Sequence, residues 1–159
     1  MKFVEAIHLA LQQSTTVITA VGTAQKIYQS FVPPTTAMPF IVVGTQSDDS
    51  LSPTLSGADR LRVATISVDC VSSNLSQATN IADHVRVDLY GSVGSLATTT
   101  NSPMVIQNIR IEGTNMAYDM GSEGTEYGAF VCTVNIKIFY VASNPSPVTL
   151  VTNPSPPAL

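Results

Sequence analysis

The two histidines, His8 and His84, are the first candidates for acid–base chemistry in this sequence. Each falls close to the apolar stripe of a predicted helix. A catalytic histidine needs a nucleophile or a carboxylate within reach. Asp83 adjoins His84 in sequence, but neighbouring residues of a helix point about 100° apart. We interpret both histidines as residues at the boundary of the core, without a catalytic role.

Two further patterns could suggest ion or phosphate binding. Asp48 and Asp49 are adjacent acidic residues, but a calcium loop needs oxygen ligands at alternating positions and a closing glutamate. The glycine-rich segment 91–95 follows a predicted helix, whereas a phosphate loop precedes one. Neither pattern has the required context. The sequence therefore predicts no cofactor and no metal, and favours a protein that is not an enzyme.

The composition also excludes several classes of partner. The 159 residues include only seven Lys and Arg, the net charge is −4, and charged residues make up 11% of the chain, against about 25% in an average soluble domain. Scattered basic residues do not favour tight nucleic-acid binding or attachment to a membrane surface. A polar surface with few charges weakens repulsion between copies, which suits a subunit that is covered by partners.

The cysteines and the N-terminus indicate the compartment. Cys70 and Cys132 both lie in alternating apolar runs. A disulfide between neighbouring strands is one interpretation, and a pair of reduced, buried thiols is the favoured one. Glu5, His8 and Gln12 interrupt the N-terminal apolar stretch that a signal peptide needs. We expect a protein that is cytosolic when it is synthesised.

Helical periodicity appears twice. The first segment, 2–13, carries a stripe of Phe3, Ile7, Ala10 and Leu11. The second, about 75–90, begins after an N-cap at Asn74 with Gln77 in the capping-box position, and Gly91 follows its end. Its predicted buried stripe consists of Leu75, Ala78, Ala82, Val85 and Leu89.

Strand patterns occupy much of the remaining chain. The predicted strands are 27–31, 40–45, 59–71, 104–111 and 126–142, of which the last has the clearest alternation of apolar and polar residues. Segments 46–58, 92–102 and 112–125 are rich in Ser, Gly, Asp, Thr and Asn, and are predicted to be loops. The segment 143–159 contains five prolines and is predicted to be an extended arm.

Together these elements predict an α+β fold. We expect a single, mostly antiparallel sheet of four to five strands, with two helices packed on one face, long loops and an extended C-terminal arm. The domain would span 1–142 and the arm 143–159. Because long loops in a compact domain are usually functional, we expect loops 46–58 and 112–125 and the arm to contact other subunits. The candidate interface residues are Asp48, Asp49, Leu51, Leu55, Asn115, Met116, Tyr118, Met120, Pro145 and Pro147.

One stretch of the sequence resembles a known family. Ile27-Tyr28 is followed by Phe31-Val32-Pro33-Pro34 and then by Met38-Pro39-Phe40-Ile41-Val42-Val43. This order of a tyrosine, a proline-containing turn and a Pro-aromatic-aliphatic strand resembles the phage tail-completion proteins, or tail terminators, of long-tailed phages. The order of helices and strands over residues 1–142 is also similar.

The resemblance implies a structural protein of the virion neck, assembled in the host cytoplasm. It implies a ring, usually of six copies, that caps the last layer of the tail tube protein and receives a head-completion protein on its other side. Genomic DNA would pass through the lumen without specific binding. The family has no catalytic motif, so no catalytic residue is implied.

Three alternatives remain at this stage. A head-closure or adaptor subunit of the same neck would obey the same constraints on size and surface. A small-ligand binding module would need a concave pocket with clustered aromatic residues, whereas the chain has five Phe, five Tyr and no Trp. An enzyme would need a cleft that joins a histidine to a carboxylate or a hydroxyl.

Overall fold

The structure is a computed structural model that describes residues 2–50, 61–90, 94–96, 104–119 and 128–141. Its helices are α1 (Lys2–Gln13), α2 (Thr15–Val21) and α3 (Leu75–Leu89), with a short 3-10 helix at Ala24–Lys26. The strands, in chain order, are β1 (Ile27–Gln29), β2 (Phe40–Ser50), β3 (Leu61–Ser72), β4 (Gly94–Leu96), β5 (Met104–Asp119) and β6 (Ala129–Val141). The predicted arm at 143–159 lies outside the described residues.

The strands form one sheet in the order β1-β2-β3-β6-β5-β4. The pairing of β1 with β2 is parallel, and the other four pairings are antiparallel. The predicted α+β class with a mostly antiparallel sheet is thus confirmed. The sequence did not reveal α2 or the three-residue strand β4, which lies within the predicted loop 92–102.

The helices cover only one face of the sheet. Along β3 and β6 the even positions are buried, and the ladder brings them together in matched pairs: Ala64 with Ile138, Ile66 with Ile136, Val68 with Val134 and Cys70 with Cys132. Helix α3 adds Ile81, Ala82 and Val85 from above, and α1 adds Ile7 and Leu11. Because successive side chains of a strand alternate between faces, the odd positions form a second face, on which none of the described helices packs.

Helix α2 explains one difference from the sequence-based prediction. Ser14 ends α1 as expected, but its hydroxyl also accepts a hydrogen bond from the Val17 amide and so caps a second helix. Val17 and Val21 of that helix are buried. Gly22 then adopts φ +99, which glycine tolerates better than other residues, and its amide donates to the Ile18 carbonyl. Tertiary packing therefore overrides the modest helix propensity of a segment rich in Thr and Val.

Helix α3 follows the predicted boundaries closely, with two corrections of detail. The Asn74 side chain caps the helix by accepting from the Ser76 amide at 2.8 Å. Gln77 does not complete a capping box, because its side-chain oxygen accepts from the Ser72 hydroxyl at 2.5 Å. Leu75, a member of the predicted buried stripe, is 46% exposed and lies in the first turn of α3.

Strand boundaries also differ from the prediction. Strand β2 continues to Ser50 and pairs with β3 as far as Arg62, so residues 46–50 are not part of a loop. Strand β5 continues to Asp119 and pairs with β6 as far as Ala129, so 112–119 is not a loop either. Strand β6 is described from Ala129, and the predicted start at 126 lies outside the described residues. Hydrogen bonding to a neighbouring strand extends these polar segments beyond the limits that their composition indicates.

Both cysteines are free and fully buried in the structure. They are direct partners in the β3–β6 ladder. Burial raises the pKa of the Cys70 thiol, and the nearby Cys132 and Asp69 raise it further. Burial also raises the pKa of Cys132. The protonated thiol is the form that fits this apolar site.

We expect Ile81→Ala to lower the free energy of unfolding by about 2–5 kcal/mol, because it opens a cavity between α3 and the sheet. Val87→Ala in the same helix is the matched control: Val87 is 76% exposed, whereas Ile81 is 0% exposed. The control should change the free energy by less than about 0.5 kcal/mol. Urea denaturation of both variants tests this, and equal effects would contradict the assigned helix face.

The raised thiol pKa values also predict a pH dependence. The unfolded chain loses these two protons near pH 8.5, while the folded chain keeps them to higher pH. Stability is therefore complete below about pH 8.5 and falls above it, by up to about 1.4 kcal/mol per pH unit for each thiol. Denaturation at pH 7 to 10, compared with a Cys70→Ala/Cys132→Ala variant, measures this. The same slope in both proteins would refute the assignment.

Candidate assembly surface

The face of the sheet opposite the helices is mostly polar at its centre. Thr65, Ser67 and Asp69 of β3 pair with Lys137, Asn135 and Thr133 of β6, and all are half-buried. Thr133 donates a hydrogen bond to Asp69 at 2.7 Å. Lys137 forms an ion pair with Glu112 at 2.9 Å. This open face therefore presents hydroxyl and amide groups, with its central charges engaged by neighbours.

Glu112 reaches Lys137 because of a bulge in β5. The register shifts between Ile111 and Gly113, so that Glu112 has no direct partner in the ladder. A second bulge lies between Ile106 and Asn108. Bulges bend a strand and redirect its side chains. The two bulges therefore bend β5, on the side of the sheet that lies farthest from β2.

Strand β5 is left open along most of its outer side. Strand β4 pairs only with Met104–Ile106. From Asn108 to Asp119, none of the described residues pairs with the outer edge of β5. An edge of this length presents a row of backbone donors and acceptors that can pair with another chain.

Exposed apolar side chains accompany this edge. Met116 is 46% exposed and Tyr118 is 55% exposed. The Tyr118 ring packs on Phe130 with a centroid separation of 4.7 Å. A groove of about 730 Å³ lies between β5 and α3, lined by Ile111, Gly113, Asp83, Arg86, Val87 and Tyr90. Val87 and Tyr90 are 76% and 72% exposed, so the groove has apolar walls that face solvent.

The opposite side of the sheet has a second open edge. Strand β1 pairs only with Ile41–Val43 of β2. Within the described part of the chain, no strand pairs with the outer side of β2 from Gly44 to Ser50. Immediately after β1, the Ser30 amide donates to the Val43 carbonyl at 2.9 Å. Phe31 follows and is 71% exposed.

The structure separates the predicted interface residues into two groups. Asp48 and Asp49 lie at the end of β2, in the open segment of that edge. Asn115, Met116 and Tyr118 lie in the open segment of β5, at the other edge, and are exposed. Leu51, Leu55, Met120, Pro145 and Pro147 lie outside the described residues. The interface role of all ten residues stays a prediction.

Sequence inspection missed the groove between α3 and β5 and the basic residue Arg110 at the edge of β5. Arg110 lies in the open segment of β5 and is exposed, and Val87 and Tyr90 project from α3. The one available signal was the position of Val87, an apolar residue outside the stripe that α3 buries. No signal indicated Arg110, because the open edge exists only once the strand order is known.

The two histidines have structural contacts. His8 lies in α1, and its Nε2 and the Ile27 carbonyl are 2.7 Å apart, while its Nδ1 is 3.1 Å from the Gln29 side-chain nitrogen. His84 borders a shallow groove between α2 and α3. The described residues contain no cluster of three or more His, Cys, Asp or Glu that could hold a metal ion. None of the described helices is both long and apolar enough to span a membrane.

Comparisons with known proteins identify the family and support the fold. A protein family described as tail completion protein gp17 matches residues 5–113. Among solved structures, a chain described as part of the virion of a native gene transfer agent particle has a TM-score of 0.62 and 12% sequence identity, over 89% of this chain and 96% of that chain. At this identity the likeness concerns the fold. The comparison with curated proteins gives no match.

We expect Met116→Ser/Tyr118→Ser to weaken self-association, because the double change removes exposed apolar area that a partner would cover. The free energy of unfolding should fall by no more than about 1.5 kcal/mol, the size of the lost ring contact with Phe130. Sedimentation velocity over a concentration series measures the association. Thr79→Ala, on the exposed side of α3, is the control. Unchanged association in the double variant would contradict the prediction.

Proposed function

Because this chain belongs to the family of the tail completion protein gp17, a family of structural phage tail proteins, we propose that it is the tail terminator subunit. Copies of the chain, six in the favoured arrangement, form a ring that caps the tail tube. The other side of the ring receives the head-completion protein of the neck. The finished protein is a virion component at the junction of head and tail.

The observation that carries this proposal is the family match itself. Residues 5–113 include most of α1, all of α2 and α3, β1 to β4 and the first part of β5. The match therefore covers most of the helical layer and most of the sheet. The family's name states a role in completing the tail, and tail completion requires a subunit that ends the tube.

The open face of the sheet suits the lumen of such a ring. Duplex DNA carries about one negative charge per 1.7 Å of axis, so a channel that passes DNA must avoid a surplus of free basic groups. On this face Lys137 is paired with Glu112, and hydroxyl and amide groups occupy the centre. The exposed Arg110 is the ladder partner of Lys137 and lies on the same face, toward the β5 edge. The net charge of −4 adds a weak repulsion. DNA would slide past this surface without specific binding.

The two open edges suit ring closure. A closed ring needs head-to-tail contacts in which different patches of the same chain meet. The β2 edge and the β5 edge lie on opposite sides of one sheet and differ in sequence. Each copy would use one edge toward each neighbour. The family is a structural one and not an enzyme family. The proposed role therefore requires edges that fit and bind a neighbouring copy, and it requires no reactive group.

Deletion of the gene in the phage tests the proposal. Loss of a tail terminator should give overlong or unfinished tails beside full heads, because nothing stops growth of the tube. Electron microscopy of lysates measures tail length. Addition of the purified protein to capped and uncapped tubes should show rings only on uncapped ends. Finished tails that fail to attach to leaking heads would instead indicate a head-closure subunit, and would refute the proposal.

A further inference from the structure

The sheet has two open edges that could form a ladder with each other between two copies of the chain. One is the outer side of β5 from Asn108 to Asp119, and the other is the outer side of β2 from Gly44 to Ser50. Long unpaired edges are a hazard for a protein that acts alone, because they pair with other chains. We propose that the β5 edge pairs with the β2 edge of a second copy of this chain, so that neighbouring sheets continue into one another.

Strand direction supports this pairing. Strands β2, β3, β6 and β5 are consecutive in the sheet, and each pairing among them is antiparallel. Strands β2 and β5 of one chain therefore run in opposite directions. In the proposed ring, the axis runs parallel to the strands. The rotation that relates one copy to the next then leaves the direction of each strand unchanged. The second copy's β2 would then meet β5 in the antiparallel sense, which is the more stable ladder.

The sequences of the two edges carry charged residues of opposite sign. The β5 edge carries the exposed Arg110 first and the exposed Met116 and Tyr118 farther along. The β2 edge carries Asp48 and Asp49 at one end. The exposed Phe31 follows β1 beside the other end of this edge.

In the antiparallel arrangement the charged positions of the two edges come close together. Arg110 is level with Ser47 through Lys137 and Thr65. Asp48 and Asp49 follow Ser47 directly in β2.

The open segment of β2 begins at Gly44, which is level with Gly113, so it faces the Asn108–Gly113 part of β5. Met116 is level with Ile41, where β1 already occupies the edge of β2, and so lies outside this pairing. Opposite charges at the facing positions favour this register.

The groove between α3 and β5 gives a second, separate reason. The helices of each copy lie on one face of its sheet, so a continued sheet places the neighbour's helical layer on the same side as α3. That layer would cover the exposed Val87 and Tyr90. In a single chain, the groove of about 730 Å³ remains open to solvent on this side. Edge pairing and groove filling therefore happen together.

Engineered disulfides test the pairing in the assembled protein. Ser47→Cys in β2 is combined with Asn108→Cys, Arg110→Cys or Glu112→Cys in β5, three positions that scan the register. Within one chain, three strand spacings of about 4.8 Å separate β2 from β5, whereas a disulfide needs Cα atoms within about 7 Å. Any disulfide between these positions therefore joins two copies. The native Cys70 and Cys132 are buried and stay out of the reaction.

We expect at least one of the three pairs to give a covalent ladder up to the full ring on a non-reducing gel. Ser47→Cys with Thr79→Cys, on the exposed side of α3, is the matched control and should stay monomeric on the gel. A cysteine at Asn115 alone that cross-links to itself would indicate pairing of β5 with β5. That result would overturn the inference.

Charge exchange tests the register independently. Arg110→Asp, or Asp48→Arg/Asp49→Arg, should weaken self-association at least tenfold, because like charges then face each other. The combination of both changes should restore most of the affinity, as measured by mass photometry over a dilution series. A combined variant that associates no better than the single changes would contradict the pairing.

The inference rests on the proposed ring, and the outcomes separate the two. Rings seen by electron microscopy without a ladder from any of the three cysteine pairs would overturn the edge pairing and leave the tail terminator role intact. Absence of rings, both alone and on tail tubes, would overturn the role and the pairing together.

Discussion

The antiparallel ladder between β3 and β6 is the contact on which the rest of the structure depends. It aligns four buried pairs on one face, among them Ile66 with Ile136 and Cys70 with Cys132. A shift of one residue would move every one of these side chains to the opposite face. The ladder therefore fixes where α3 packs. It also fixes which residues of the outer strands belong to the core.

A one-sided core leaves surfaces that a single chain does not use. The helices bury the even positions of β3 and β6, but none of the described helices or strands covers the open face, the outer side of β5 from Asn108 or the outer side of β2 from Gly44. The polar composition of the open face follows from its position. Water or neighbouring groups can satisfy the hydrogen bonds of its central polar residues, so these residues face solvent or a hydrated channel at little cost. They are Thr65, Ser67, Asn135 and Thr133.

Sequence patterns predicted the parts of the fold that one chain determines. The alternation along residues 130–140 and the stripe of α3 depend on burial in a single core, so periodicity revealed both. The α+β class followed from their order. Strand β4 and the last residues of β2 and β5 were missed because their partners are distant in sequence. The edge charge at Arg110 was missed for the same reason, since an edge is a property of strand order.

The residues that were mistaken for loops share one physical property. Segments 46–50, 94–96 and 112–119 all belong to β2, β4 and β5, the strands at or beside an edge. A strand that is paired on one side only gains less from apolar side chains, so its sequence becomes polar and resembles a loop. A protein that acts alone would shorten or block such strands. Here β5 extends to Asp119 with Met116 and Tyr118 exposed, and the first part of its open edge is what the proposed pairing with a second copy would use. The local pattern thus fails where the stability of a strand depends on partners that are distant in sequence.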